Sequence, residues 1–276
     1  MSGFSWDRRI ARAGELSQSH AAVSELLSFY QGVARFQKQV YEKLASAEDH
    51  SVSVLLPYFP GLFALVTQTG SPALVTSSEN LAQLPREDLL ELLTHVWQPS
   101  QQNENEHTEN GPDENSEDLP AEAAFFARAL LQPYGEYLAE RTRVAADASA
   151  DSGADSGQVR CPFCGSKPQL AVLRPEGDGG KRSLMCCLCA TEWNFRRVVC
   201  PNCGEQNKDH LPIFVAKEFD YVRVDACDTC HTYIKSIDLS KNGNAIPVVD
   251  ELATVSLNLW AADNNFHKLS PNLFGV

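Results

Sequence analysis

Four cysteine pairs of the form C-x-x-C constrain this chain more than any other feature. They are Cys161/Cys164, Cys186/Cys189, Cys200/Cys203 and Cys227/Cys230, and all nine cysteines of the 276 residues lie after residue 160. Twenty-one residues separate the first pair from the second, 23 separate the third from the fourth, and ten lie between Cys189 and Cys200. A C-x-x-C turn presents two thiolates to one ion at ~2.3 Å, and a second such turn across a hairpin completes a four-sulfur tetrahedron. The short gaps within each set favour pairing of consecutive turns, with a cross-braced arrangement as the alternative. Gly165 and Gly204 follow the second cysteine of CPFCG and CPNCG, where a positive φ lets backbone N–H groups approach the sulfurs. The turns CCLCA and CDTCH lack that glycine and are expected to be less regular.

Two rival readings of the cysteines are weaker. A thioredoxin-type pair occurs once, at the start of a helix in an α/β domain, not four times among strands. Structural disulfides belong to oxidising compartments, and nothing at the N-terminus suggests export. Four thiolates accept zinc or iron, so spacing leaves the metal open between the two. Cys187 is expected to pack on the other face of its strand, and His231 to be a surface residue, because four sulfurs already complete each site.

The remaining sequence divides into a helical part and a strand-rich part, which makes the fold class α+β and multidomain. Residues 1–145 read as an all-α domain. Val23, Leu26, Leu27, Tyr30, Val33, Val40 and Leu44 recur at helical spacing, and Pro85 opens REDLLELLTHVW with acidic residues in its first turn. Residues 98–118 hold seven acidic and no basic side chains and are expected to form a disordered insertion. AEAAFFARALLQPYGEYLAERTRV resumes the helical pattern, with a break or kink expected at Pro133. Residues 146–157 are small, polar and glycine-bearing, as in a linker. Two tandem four-cysteine metal modules of rubredoxin-like or zinc-ribbon-like type are expected at 158–199 and 200–276. Their β-type runs are QLAVLR, RSLMCC, PIFVAK, YVRVDAC and TYIKSID, and a C-terminal helix covers VVDELATVSLNLWAADNNF.

Charge and hydropathy narrow the function. The net charge of −13 falls in residues 1–157, where 23 acidic residues face 10 basic ones, so a nucleic-acid partner is not expected. The N-terminus has no apolar run after Arg8–Arg9, and the most apolar stretch, Val52 to Val66, contains Pro57 and Pro60, which are expected to break it. The expectation is a cytoplasmic protein without membrane insertion; self-association is left open. No Ser-His-Asp order, phosphate loop or catalytic carboxylate pair stands out, so neither catalytic nor further cofactor-binding residues are assigned. A closed four-sulfur site also offers substrate no open coordination position.

The order CPxCG, CxLCxTEW, CPNCG and CxxCxTYIK, followed by a DELAT-type helix, resembles the formate dehydrogenase accessory protein family FdhE. Those stretches are Cys161–Gly165, Cys186–Trp193, Cys200–Gly204, Cys227–Lys235 and Asp250–Thr254, with a weaker likeness at FFARALLQPY. The resemblance implies a helical N-terminal domain followed by two rubredoxin-like modules, and a cytoplasmic maturation factor that binds the catalytic subunit of formate dehydrogenase. It implies two metal ions, with iron as the associated metal, held by Cys161, Cys164, Cys186, Cys189, Cys200, Cys203, Cys227 and Cys230. A rubredoxin-like electron carrier and a zinc-ribbon nucleic-acid module are the alternatives. The acidic insertion at 98–118 and His231 after the last ligand depart from the family pattern without removing a ligand. Trp193, Phe195 and Tyr233 are candidate partner anchors if exposed, and core residues otherwise.

Overall fold

Ser5 starts the first helix by accepting a hydrogen bond from the Arg8 N–H at 3.4 Å, which supplies one of the partners a helix N-terminus lacks. The computed structural model describes residues 5–46, 49–97, 119–146, 157–176 and 179–276. The expected acidic insertion at 98–118 and most of the expected linker lie outside these residues. Among the described residues, six α-helices make up the first part: α1 (Trp6–Ser19), α2 (Ser24–Leu44), α3 (Phe59–Thr69), α4 (Pro72–Leu81), α5 (Arg86–Trp97) and α6 (Ala121–Ala146). Their inward faces meet around Leu27, Leu44, Phe59, Leu62, Leu93, Phe126 and Leu130, all fully buried.

The three prolines behave differently from the sequence expectation. Pro57 lies in a 3-10 turn (Val52–Tyr58) and Pro60 in the first turn of α3, where a missing N–H leaves no helical bond unmade. The run Val52–Thr69 is therefore continuously helical, and by length and composition it is the one described helical run able to cross a membrane. Here Leu55, Leu56, Phe59, Leu62 and Val66 turn into the helical core. Pro133 does not break α6, which runs on through it.

The second part is one seven-stranded sheet: β1 (Pro168–Glu176), β2 (Gly179–Cys186), β3 (Glu192–Asn194), β4 (Ile213–Val215), β5 (Val222–Ala226), β6 (Thr232–Asp238) and β7 (His267–Lys268). The order is β3-β2-β1-β6-β5-β4, with β7 beside β6. Each half is an antiparallel meander, and a parallel β1–β6 pair, Leu170 opposite Lys235 through Leu173 opposite Asp238, joins them. The C-terminal helical stretch is two helices, α7 (Pro247–Ala253) and α8 (Val255–Asp263), which meet at Thr254.

Helices and sheet share one core. Leu188, Cys189 and Ile234 belong to the same apolar cluster as Leu130, Leu131 and Tyr134 of α6. Gly135 permits this approach, because a Cβ there would stand 3.0 Å from the Cys189 Cβ. Two part-buried ion pairs accompany it, one within the helical part and one from α1 to the C-terminal helices. Arg9 grips Glu136 of α6 at 2.7 and 3.0 Å, and Arg12 grips Asp250 of α7 at 2.6 and 3.1 Å.

Candidate metal centres

Three of the four cysteine turns close with the same pair of backbone hydrogen bonds. In the first, Gly165 N–H donates to Cys161 O at 2.9 Å and Cys161 N–H donates to Ser166 O at 2.9 Å. Gly204 and Cys200 repeat this at 3.0 and 2.8 Å, and His231, Cys227 and Thr232 repeat it at 2.8 and 2.9 Å. The residue after each second cysteine takes a left-handed backbone, with φ of 74° at Gly165, 50° at Ala190, 76° at Gly204 and 55° at His231. Of the two turns without glycine, CDTCH is therefore as regular as the glycine turns, while CCLCA shares the left-handed residue and the bond from Cys186 N–H to Thr191 O at 3.0 Å. The constraint is the turn itself, and Ala190 and His231 bear its strain.

The eight paired cysteines gather into two groups, Cys161/Cys164/Cys186/Cys189 and Cys200/Cys203/Cys227/Cys230, with all sulfurs in each within 4.8 Å of one another. Consecutive turns pair, and the arrangement is not the cross-braced alternative. Sulfur–sulfur separations include 3.5 Å for Cys161–Cys189, 3.3 Å for Cys164–Cys186, 3.7 Å for Cys200–Cys230 and 3.6 Å for Cys203–Cys227. A tetrahedron with metal–sulfur bonds of ~2.3 Å has edges of ~3.8 Å, so either group could hold a metal ion.

The surroundings favour ionised sulfur. Amides of Phe163 and Leu188 point at Cys161 and Cys186 Sγ, each at 3.4 Å, and Asn202 N–H points at Cys200 Sγ at 3.4 Å. Thr191 and Thr232 hydroxyls lie 3.1 and 3.0 Å from Cys189 and Cys230 Sγ. Within each group the protons are unevenly shared. Hydrogen bonding with Cys164, Cys186 and Cys189 draws the Cys161 thiol far below its usual range, while hydrogen bonds with Cys161 and Cys164 push Cys189 up. Cys230 is held at about 3 chiefly by its hydrogen bond with Cys200, and Cys203 is raised to about 11 by burial first. Four thiols crowded in this way ionise together only when a cation balances them.

The two groups differ in exposure. All four cysteines of the first are buried, whereas in the second Cys203 is exposed and Cys230 partly so. Cys187 stands outside the first group; its amide donates to Lys167 O at 3.2 Å and its carbonyl accepts from Gln132 at 3.1 Å. His231 is likewise outside the second group and exposed, with its ring tilted toward Phe266. The aromatic residues considered as anchors are all interior. Trp193 is buried and donates Nε1–H to Gln158 O at 2.8 Å, Phe195 lies under the Arg182 guanidinium, and Tyr233 sits in an apolar cluster with Val222, Val224 and Ile237.

Beneath the cysteine turns is a charge cluster that periodicity could not reveal. Lys235 and Glu251, both fully buried, meet at 2.8 Å, and Lys268 joins Glu251 at 2.6 Å. Lys235 also donates to the Glu251 and Thr254 carbonyls at 2.6 and 3.3 Å, at the end of α7. Burial brings Lys235 down to about 8. Burial alone would raise Glu251, but Lys235 and Lys268 hold it at about 2.

Comparison with known proteins agrees with this architecture. Residues 160–197 match the family model "FdhE, central domain" and residues 198–274 match "FdhE, C-terminal domain". "Protein FdhE homolog" of Aquifex aeolicus is 32% identical over 228 residues, covering 82% of this chain and 72% of that protein. The Cronobacter sakazakii homolog is 36% identical over 123 residues, or 44% of this chain and 40% of that one. The crystal structure of FdhE from Pseudomonas aeruginosa shares the fold with a TM-score of 0.69 at 23% identity, over 98% of this chain and 95% of that one. With its cysteine groups and its match along most of the Aquifex protein, this chain belongs to the FdhE family.

Proposed function

We propose that this chain is a cytoplasmic maturation factor for a respiratory formate dehydrogenase, without turnover of its own, that binds the enzyme's catalytic subunit. In this reading Cys161, Cys164, Cys186 and Cys189 hold one metal ion, and Cys200, Cys203, Cys227 and Cys230 hold a second. Iron is the metal the family resemblance favours over zinc. Residues 158–199 and 200–276 then act as two metal modules beside the helical domain 1–145. The observation that carries the proposal is the pair of closed four-sulfur groups in a chain of the FdhE family. Sites of this kind stabilise structure and leave substrate no coordination position. The test is a pull-down from cells making a formate dehydrogenase, together with formate oxidation in a strain lacking this gene. Recovery of the catalytic subunit and loss of activity are expected; an empty eluate with undiminished activity refutes the reading.

A second reading, a rubredoxin-like electron carrier, has one feature in its favour. The exposure of Cys203 gives an electron a short route to the second site. Reversible reduction of bound iron at a physiological potential, with formate oxidation unaffected by loss of the gene, would select it.

A further inference from the structure

Eight large apolar side chains are exposed among the described residues, and four of them, Val198, Ile213, Val215 and Trp260, lie in or beside the edge strand β4. Val198, Ile213 and Val215 are each more than half exposed, at 51%, 54% and 54%. The opposite edge, β3, offers polar Glu192 and Asn194 around a buried Trp193.

The backbone of β4 is open as well. In its antiparallel pairing with β5, Ile213 faces Asp225, Phe214 faces Val224 and Val215 faces Arg223. Asp228 N–H donates to His210 O at 2.9 Å and Ala226 N–H donates to Pro212 O at 3.0 Å. Bonded pairs alternate in such a ladder, so Phe214 is the next residue bonded to β5. Ile213 and Val215 therefore turn two N–H donors and two C=O acceptors away from the sheet. Phe214 anchors the strand underneath, 4.7 Å from the Trp260 ring and 6.0 Å from that of Phe266. Natural edges are commonly blocked by lysine, proline or a bulge within the strand, and the Ile-Phe-Val of β4 carries none of these.

Beside the exposed face of β4 is a cavity of about 200 Å³ whose lining includes Val198, Leu211 and Ile213. Its charged lining is Arg182, Arg197, Lys208 and Arg223 against Asp225, an excess of positive charge on a chain of net charge −13. We infer that β4 is a docking edge for an extended segment of another polypeptide, with aliphatic side chains at alternating positions and carboxylates flanking them. The segment would lengthen the sheet by one strand, set its aliphatic side chains beside Ile213 and Val198, and place its carboxylates toward Lys208 and Arg197. The inference stands apart from the proposed function, because it names a mode of recognition and not the protein recognised.

The test uses the metal-loaded full chain and a fluorescein-labelled heptapeptide, Glu-Val-Thr-Val-Thr-Val-Glu. A lysine-ended counterpart and a backbone N-methylated version serve as controls. The acidic peptide should bind, the controls should bind about tenfold more weakly or worse, and amide exchange in residues 211–217 should slow only with the acidic peptide. Val215→Pro removes an outward N–H without touching the β4–β5 ladder, and Ile213→Glu sets a like charge against the peptide's carboxylates on the exposed face. Both variants should keep wild-type circular dichroism and metal content and lose binding at least tenfold. Absence of binding by the wild-type chain, equal binding of the controls, or wild-type affinity in a folded Val215→Pro protein would overturn the inference. So would a dimer, protected at residues 211–217, that Val215→Pro dissociates, since a second copy would then occupy the edge.

Discussion

Gln37 of α2 donates its side-chain amide to the carbonyl of Ala129 in α6 at 2.9 Å, the acceptor that Pro133 leaves without a helical donor. A proline removes the N–H that would bond four residues back, and a buried carbonyl left alone is costly. Gln37 is itself buried, so the repair takes place inside the core and allows α6 to continue. Gln37→Leu should cost about 1–3 kcal/mol in urea unfolding. In a Pro133→Ala background the helix supplies its own donor and that cost should fall. Equal costs in both backgrounds would show that Gln37 acts through packing alone.

The two cysteine turns without glycine give a second test. Gly204 has φ +76° and open space where a Cβ would go, so Gly204→Ala isolates backbone strain, about 1 kcal/mol of destabilisation. His231→Gly and Ala190→Gly should shift stability the other way by a similar or smaller amount, with metal content unchanged. Chemical unfolding of the metal-loaded proteins measures both directions. A stabilised Gly204→Ala would mean that the turn does not require this backbone.

What the sequence made legible was whatever is local. The cysteine groups follow from spacing within each turn and between neighbouring turns, and runs such as YVRVDAC alternate as half-buried strands do. The short strand β3 was not separated from the cysteine turn before it. Long-range pairing was invisible for a physical reason. Arg12 and Asp250 are 238 positions apart, and Lys235 and Glu251 sit in segments whose patterns look like ordinary strand and helix. Hydrophobicity alone also left surface and core undivided: Trp193, Phe195 and Tyr233 take the core alternative, while Ile213 and Val215 in a short β-type run are exposed. Edge and centre of a sheet are decided by topology, which composition does not encode.

The Lys235–Glu251–Lys268 cluster predicts a pH dependence. The folded-state value of Glu251, about 2, is below the ordinary glutamate value of 4.5. A depressed carboxylate contributes stability that is present above its unfolded-state value and lost as pH falls toward the folded-state one. The contribution is on the order of 3 kcal/mol and should disappear between roughly pH 4.5 and 2. Glu251→Gln should destabilise the protein at pH 7 by a comparable amount, because two buried or part-buried lysines lose their counter-charge. The gap between wild type and variant should close across that acid range. A gap that stays constant with pH would remove the carboxylate charge from the explanation.

Exposure separates the two cysteine groups, and this gives the last prediction. Elemental analysis of anaerobically prepared protein should give two metal ions per chain, with thiolate-to-iron absorption if iron is bound. The four cysteines of the first group are buried and pack with α6, and the second group opens through Cys203. A colorimetric chelator should therefore remove the metal in two phases, with the second group emptied about tenfold faster or more. Cys203→Ser should remove the fast phase and spare the slow one. Cys161→Ser should remove the slow phase and destabilise the fold by several kcal/mol, since binding and folding of so small a module are one equilibrium. Cys187→Ser should leave both phases in place, because Cys187 lies outside the first group. A single phase of one equivalent, or full loss of metal in Cys187→Ser, would contradict the assignment of these eight sulfurs.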